Sequence, residues 1–477
     1  MNSKDAITTS VADSPTRVKA QPLHRELGGV GVLLLTLSAL SPAGSVFIAG
    51  ASVAHSAGTG VALGFLAGGV IAAVLAMLYA ELGASFPHAG GSYPSVAGTL
   101  GSGAGFVMLA LSVALSPAFL AFTALGFANY VHFLVPRASQ LSIGLAAIAA
   151  GTMISVLNLR TNTWITGTFL AVELLAVLAL SFVGLAQPVR SLGEIILHPV
   201  MPSVGAGQEL VPTPFGAMAL AIVAGAWACS GAAWALFFGE ELHDAHRRLG
   251  GVVVKAGVVA GALISVPLVL FAIGAGDLQD MLAADAPFAA FITTTAGPRI
   301  GTLASLGVAI AIFNSIIVST IASSRGYYAN ARDGVFPRPI NWALTRTHSR
   351  FKSPWIAALS LGGLGAAYCL MGQRMNILLL SGEVYGGALV AISVLVGRRR
   401  GLTGRIGFRT PLYPAIPIFG LLVAAAFVVA TYADADAGRP SMMILLGVVA
   451  CAVVYYALVL RPKGWRVHTP LDDSPRT

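Results

Sequence analysis

Long apolar runs, each near the roughly 20 residues a helix needs to cross a bilayer, alternate along this chain with short stretches of Gly, Pro and charge. The first six cores are Gly28–Val53, Val61–Ala80, Gly105–Phe133, Leu141–Val156, Trp164–Ala186 and Phe215–Gly239. The second six are Val252–Ala275, Ile300–Ser323, Pro354–Leu370, Ile377–Gly397, Ile416–Thr431 and Met442–Leu460. The pattern predicts an all-α integral membrane protein of about twelve transmembrane helices. Between Glu26 and Arg137 the only Asp, Glu, Lys or Arg is Glu81. Longer polar stretches fall at Gln187–Pro214 and Gly276–Pro298, and Asp280–Phe291 in the latter is predicted to form a short surface helix. Arg325–Ser353 is the longest basic stretch, and no stretch has the length and polarity of a separate soluble domain.

The first run is interrupted inside its apolar core, at Leu37-Ser-Ala-Leu-Ser41-Pro42-Ala43-Gly44-Ser45-Val-Phe47. Proline removes a backbone donor and glycine loosens the chain, so Pro42 and Gly44 break a helix where no water satisfies the freed groups. Such a break is either a kink that neighbouring helices tolerate or a binding site whose ligand takes up those groups. The sixth run repeats the interruption more weakly, without proline, at Trp227-Ala228-Cys229-Ser230-Gly231-Ala-Ala-Trp234. Two interrupted helices about 186 residues apart, each opening a group of five, are the pattern of an inverted-repeat transporter with its site at the midplane. Residues 28–187 then form the first repeat, 188–213 an outer loop, 214–397 the second repeat and 398–461 two further helices. Residues 1–27 and 462–477 are read as cytoplasmic tails, the first disordered. Half-helix N-termini offer N–H groups to a carboxylate and freed carbonyls suit an ammonium, so a zwitterion fits both, with Trp227 placed to cover it.

Composition and charge narrow the class. Hydrophobic residues make up 56% of the chain and charged residues 10%, and the mean hydropathy is +0.82, values that exclude an ordinary soluble domain. The net charge of +9 does not point to nucleic acid, because the basic residues sit in short segments between apolar runs. With the N-terminus inside, Arg137, Arg190, Arg299, Arg374 and Arg439 fall on the outer side. The rest of the 28 Lys and Arg, including Arg398–Arg400, Arg461 and Lys463, fall inside. That asymmetry places both termini in the cytoplasm and the protein in the cytoplasmic membrane. The first residues lack the apolar core of a cleavable signal. Cys229, Cys369 and Cys451 lie within apolar runs as reduced packing residues, and the nine His are scattered, so neither a metal site nor an intramembrane enzyme is expected. A Gly-x-x-x-x-Gly-Lys run is absent, and so is any filter-like repeat, which leaves no cofactor expected and argues against an ATP-driven pump or a channel.

Three local motifs make the chain resemble the amino acid-polyamine-organocation transporter superfamily. They are Tyr79-Ala-Glu81-Leu-Gly83-Ala-Ser-Phe-Pro87-His-Ala-Gly90-Gly91-Ser-Tyr93-Pro, Gly239-Glu240-Glu241-Leu, and Tyr328-Ala-Asn-Ala-Arg332-Asp333-Gly334-Val-Phe-Pro337. The resemblance covers roughly residues 25–460 and implies a leucine-transporter-like fold of two inverted five-helix repeats, with substrate held by the broken helices 1 and 6. It places Ala43, Gly44 and Ser45 where the family usually has a Gly-Ser-Gly run that meets the substrate carboxylate. The Pro42-Ala-Gly-Ser wording departs from that run. It also matches Trp227 and Gly231 to the aromatic lid and glycine of helix 6, with Ala228, Cys229 and Ser230 between them. Ser41 and Ser319 complete the expected substrate-binding set, and Pro117 and Leu120 are assigned to its far wall.

Glu173 is the sole charge of the fifth helix, where relatives often carry a lysine. An ionised acid at mid-membrane costs about 2.5–3.5 kcal/mol on insertion scales, so Glu173 is expected either to couple transport to protons or to bind sodium with Ser319 and Thr320. A helix-packing carboxyl is the plainer alternative. Glu81, Glu240, Glu241, Arg325, Arg332 and Asp333 are expected to cluster at the inner ends of helices 2, 6 and 8, as a cytoplasmic gate or as interfacial anchors. His55 is read as an interfacial residue. The expected activity is secondary transport of an amino acid or related amine by alternating access, proton-coupled or exchanging. The alternatives are a polyamine or ethanolamine-type amine permease, a sodium-coupled symporter, or a non-transporting amino acid sensor. The expected partners are a small-molecule substrate, H+ or Na+ and the bilayer. With no acidic residue in either break, cationic substrates are disfavoured unless Glu173 reaches them.

Overall fold

The computed structural model describes residues 27–467, apart from 135–136, 158, 204–208, 285, 381 and 436–437; the predicted N-terminal tail lies almost wholly outside them. The long helices are α1 (Gly29–Ala57, broken at Ser41), α2 (Gly60–Ser85), α3 (Ser102–Leu134), α4 (Gln140–Ser155), α5 (Leu159–Ala186) and α6 (Phe215–Phe238). They continue with α7 (Ala245–Gly274), α8 (Pro298–Arg332), α9 (Trp355–Cys369), α10 in two pieces (Gly372–Leu380 and Glu383–Arg399), α11 (Ala415–Ala433) and α12 (Gly438–Leu460). Among the described residues nine of these are long and apolar enough to cross a membrane, with α4 and α9 as shorter apolar helices. The molecule is an all-α membrane bundle.

Apolarity all round most helices leaves small residues to decide which of them approach closely. Helix α2 lies along both α6 and α7. At Gly68 an added Cβ would stand 2.3 Å from the Ala226 nitrogen, so the α2–α6 crossing depends on glycine. Helix α1 packs between α8, α5 and the second half of α6, and α3 faces α4, α8 and α9. Both broken helices thereby stand at the centre of the bundle.

Four regions differ from the sequence expectation. Residues 187–214 carry a two-stranded hairpin, Val200–Pro202 against Leu210–Pro212, beside a short helix at Leu192–Leu197. The segment expected to be a surface helix forms two short helices, Leu278–Ala283 and Pro287–Ala296, whose Leu278, Phe288 and Phe291 are buried. Apolar spacing within a polar stretch is the reason: Phe288 packs edge-on to Phe271 at 4.6 Å and to Phe47 at 6.0 Å. Helix α8 runs on past Ser323 to Arg332, because the basic end still finds buried partners. The predicted single helix Ile377–Gly397 is interrupted at Gly382, with one piece ending at Leu380 and the next starting at Glu383, a third break.

Candidate functional site

Helix α1 stops at Ser41, whose backbone turns left-handed at φ +51°, and restarts as Pro42–Gly44 before widening into a π-turn over Ser45–Gly50. Pro42 has no N–H to offer, so the first donor of the restarted helix is Ala43. That N–H donates to Glu173 Oε1 at 2.8 Å, and the Ser41 hydroxyl donates to the same oxygen at 2.8 Å. Ser41 Oγ also accepts from the Gly44 N–H at 3.1 Å, and the Ser45 N–H reaches the Ser41 carbonyl at 2.9 Å. A carboxylate from the middle of α5 thus caps the restarted helix as an Asp at the N-cap would, and complements its positive dipole end. The donors expected to be free for a ligand are engaged by the protein itself. Glu173 Oε2 has no hydrogen-bond partner among the described residues, and the ion pairs among those residues do not include Glu173.

The second break is milder. Helix α6 is α-helical to Cys229, passes through Ser230, and tightens to a 3₁₀ helix over Gly231–Phe238. Ser45 Oγ donates to the Ala228 carbonyl at 3.0 Å, which ties the two breaks together. Gly231 is needed for the same approach: a Cβ there would stand 2.3 Å from Leu40 Cδ1 and 2.8 Å from its Cβ.

Between the breaks lies a cavity of about 510 Å³. Ser41, Gly44 and Ser45 line it from α1, and Trp227, Ala228, Ser230 and Gly231 from α6. Ala43 and Cys229 are buried behind that wall, as are Pro117, Leu120 and Ser319, none of which lines it. The face α3 presents instead runs through Ser112, Ser116, Phe119, Phe122 and Thr123, while Leu120 packs against Gly365 of α9. Aromatic rings follow one another along the wall, Trp227 to Phe122 at 5.8 Å, Phe119 to Trp234 at 5.4 Å and Trp234 to Phe237 at 5.8 Å. At one end the wall reaches exposed Ser52 and Ser56, and at the other buried Ser92 and half-buried Phe237.

Beyond Phe237 the motif segments interlock. Arg332 makes a two-pronged contact with Glu240, at 2.8 and 2.7 Å, and its other neighbour is His88 at 2.7 Å. Glu240 also accepts from the Ala89 N–H. Arg325 forks onto both oxygens of Glu241, and the Tyr93 hydroxyl donates to Asp333 at 2.6 Å. Trp465 donates its indole N–H to the Asp333 carbonyl, so the described start of the predicted C-terminal tail is docked here. The strand-like contact of Leu27 with Leu242 closes the same end. Glu81 stands apart from this cluster. It is wholly buried against Arg398, 2.6 Å away, with Thr403 and the Thr410 N–H, and so fastens α2 to the α10–α11 connection.

Comparison with known proteins agrees with the architecture. The amino acid permease family matches residues 27–462. The chain belongs to that family. An uncharacterized transporter of Mycobacterium tuberculosis is 27% identical over 459 residues, spanning 92% of this chain and 87% of the relative. The human large neutral amino acids transporter small subunit 2 is 29% identical over 337 residues, 66% of this chain and 59% of its own length. The human Asc-type amino acid transporter 1 is 26% identical over 405 residues, 80% of this chain and 73% of its own. The permease is accordingly a secondary transporter, a membrane carrier of a small molecule.

Within the permease, then, the structure brings together Ser41, Gly44, Ser45, Trp227, Ala228, Ser230 and Gly231 on one cavity. It sets Glu173 on the back of the first break. Ser319 and Thr320 both donate to the Ile316 carbonyl within α8 rather than toward Glu173. Sequence reasoning missed Glu383, which lines the cavity from the third break, with Trp227 in hydrogen-bonding reach of its carboxyl. The signal was present: Ser381-Gly382-Glu383 puts an acid and a glycine inside an apolar run, as Ser41–Ser45 puts a proline and a glycine in another.

Proposed function

We propose that this permease moves an amino acid or related amine across the cytoplasmic membrane by alternating access and that Glu173 couples the movement to protons. The observation that carries the reading is the pair of broken helices joined by Ser45 and Ala228 around one cavity, with a carboxylate on the first break. The Ser41 hydroxyl both lines the cavity and donates to Glu173, so a substrate carboxylate and Glu173 compete for it. A protonated Glu173 is the weaker acceptor, so proton uptake releases the Ser41 hydroxyl to the substrate, and substrate binding in turn favours protonation. Oε2, without a partner, is the position for that proton. The groups facing Glu173 are Ser41 and Ala43, with no Lys, Arg or His in ion-pair range among the described residues. Its ionised form therefore lacks the counter-charge that a membrane interior demands.

The Lys and Arg asymmetry puts both termini and the Arg325–Arg332 cluster at the cytoplasmic face. The ion pairs of Glu240 and Glu241 and the Tyr93–Asp333 hydrogen bond then form a closed inner gate, and the cavity communicates with the outside past Ser52 and Ser56. Glu81 and Arg398 anchor helices at that face. Uptake by Glu173→Gln in proteoliposomes tests the coupling, with a proton or sodium gradient imposed. The expected result is loss of proton-driven accumulation and a flat pH profile, with substrate exchange retained. A pH dependence identical to that of the unaltered protein, or accumulation driven by sodium alone, overturns it.

A further inference from the structure

Glu383 is the feature of the cavity that the coupling scheme leaves unused. It sits at the first position of the second piece of α10, where its exposed side chain lines the cavity. Among the described residues the only other Asp or Glu on the wall is Asp434, and no described Lys, Arg or His lines it. Glu383 forms none of the ion pairs found among the described residues; Trp227 and Tyr79 line the same cavity. The remaining polar wall groups of α3, Ser112, Ser116 and Thr123, donate their protons to backbone carbonyls one turn back, which leaves their oxygens as acceptors. Carboxylate, hydroxyl lone pairs and the faces of Trp227, Trp234, Phe119 and Phe122 all favour a cation.

We propose that Glu383 is a subsite for a second positive charge, so that the preferred substrate is a diamino acid or a diamine, with an ammonium or guanidinium at the end of its chain remote from the α1 break. This rests on the cavity being the transport site. It reverses the expectation drawn from the sequence, where the absence of acids from the breaks in α1 and α6 disfavoured cationic substrates. An acid at the start of a helix also complements the helix dipole, and that role alone requires no cation in the cavity.

Competition for uptake by lysine, ornithine and cadaverine against norleucine, the uncharged analogue of lysine, separates these roles. Purified protein in proteoliposomes is used, with Glu383→Gln and Glu383→Asp as variants. The unaltered protein is expected to prefer lysine or ornithine to norleucine by about tenfold. Glu383→Gln loses that preference, its uptake of lysine and ornithine falling much further than its uptake of norleucine, and Glu383→Asp keeps part of it. Equal handling of lysine and norleucine by the unaltered protein overturns the subsite alone. So does a Glu383→Gln that lowers both equally or that melts in detergent, provided Glu383→Asp also shows no charge preference. Uptake of none of these compounds, with no accumulation of other amino acids, overturns the transport reading itself.

Discussion

At the first break Glu173 meets a hydroxyl and an amide but no described cation, whereas at the Arg325 end Glu81, Glu240 and Glu241 each have their own guanidinium. Glu173, Glu81 and Glu241 are buried and Glu240 is largely so, and burial makes an unpaired charge expensive in either place. At the paired end each carboxylate is neutralised by a guanidinium within hydrogen-bonding distance, so parting these helices means separating whole ion pairs. The break has a carboxylate with no guanidinium or ammonium partner among the described residues, held by one hydroxyl and one backbone N–H. Stability belongs to the first arrangement and responsiveness to the second.

The sharpest way to break this contrast is at the paired end. Arg325→Ala removes the guanidinium that Glu241 faces, both side chains being nearly inaccessible at 4% and 6% exposure. A buried acid stripped of its cation costs about 3–5 kcal/mol, so a large fall in melting temperature in detergent is expected. Replacing both partners, Arg325→Met with Glu241→Met, restores most of it while the transport cycle remains impaired. A double variant as unstable as the single one would show that the pair's charge is not what holds this end.

A smaller effect is expected where the two breaks meet. Gly231→Ala puts a methyl 2.3 Å from Leu40 Cδ1, and because the Leu40 Cβ is also within 2.8 Å, rotating the end of that side chain does not clear it. Overpacking of this kind costs about 1–3 kcal/mol, and uptake should fall more than stability because the Ser45–Ala228 bond is displaced. Leu40→Ala in the same chain should recover part of the uptake. Full activity in Gly231→Ala would separate the α1–α6 contact from function.

How much of this was legible in the sequence differs between the two regions for a physical reason. Pro42, Gly44 and Gly231 are backbone instructions and act locally, so the breaks could be placed from residue type alone. The apolar lengths that a bilayer imposes made most helices readable in the same way. The partners were not readable, because they join residues far apart in the chain: Glu173 to Ala43, Glu81 to Arg398, Tyr93 to Asp333. Glu81 was grouped with Glu240 because both end a helix at the same face, a placement along the membrane normal that says nothing about azimuth. Pro117 and Leu120 were assigned to the wall without fixing the rotation of α3, and the i, i+3, i+4 row through Ser112, Ser116, Phe119 and Thr123 is the face that turned inward. The third break went unread because Gly382 follows a serine rather than a proline.

The smallest expected effect is the most discriminating. Burial by itself would raise the Glu240 carboxyl, but the Arg332 hydrogen bonds, the His88 ring and the Ala89 N–H outweigh it and bring the group down from 4.5 to about 2. A carboxyl held low in the folded state adds stability that is present above its ordinary value and is lost only as the pH falls toward the folded one. Glu240 therefore stays ionised, and its contribution constant, from about pH 5 to 8, the range in which a proton-coupled carrier works. Glu240→Gln should lower stability yet leave the shape of the uptake–pH profile unchanged, while Glu173→Gln flattens that profile without comparable loss of stability. The two substitutions make the same carboxyl-to-amide change in the same molecule, so a profile displaced by Glu240→Gln would move the pH response from the break to the ion-paired end and dissolve the division of labour between them.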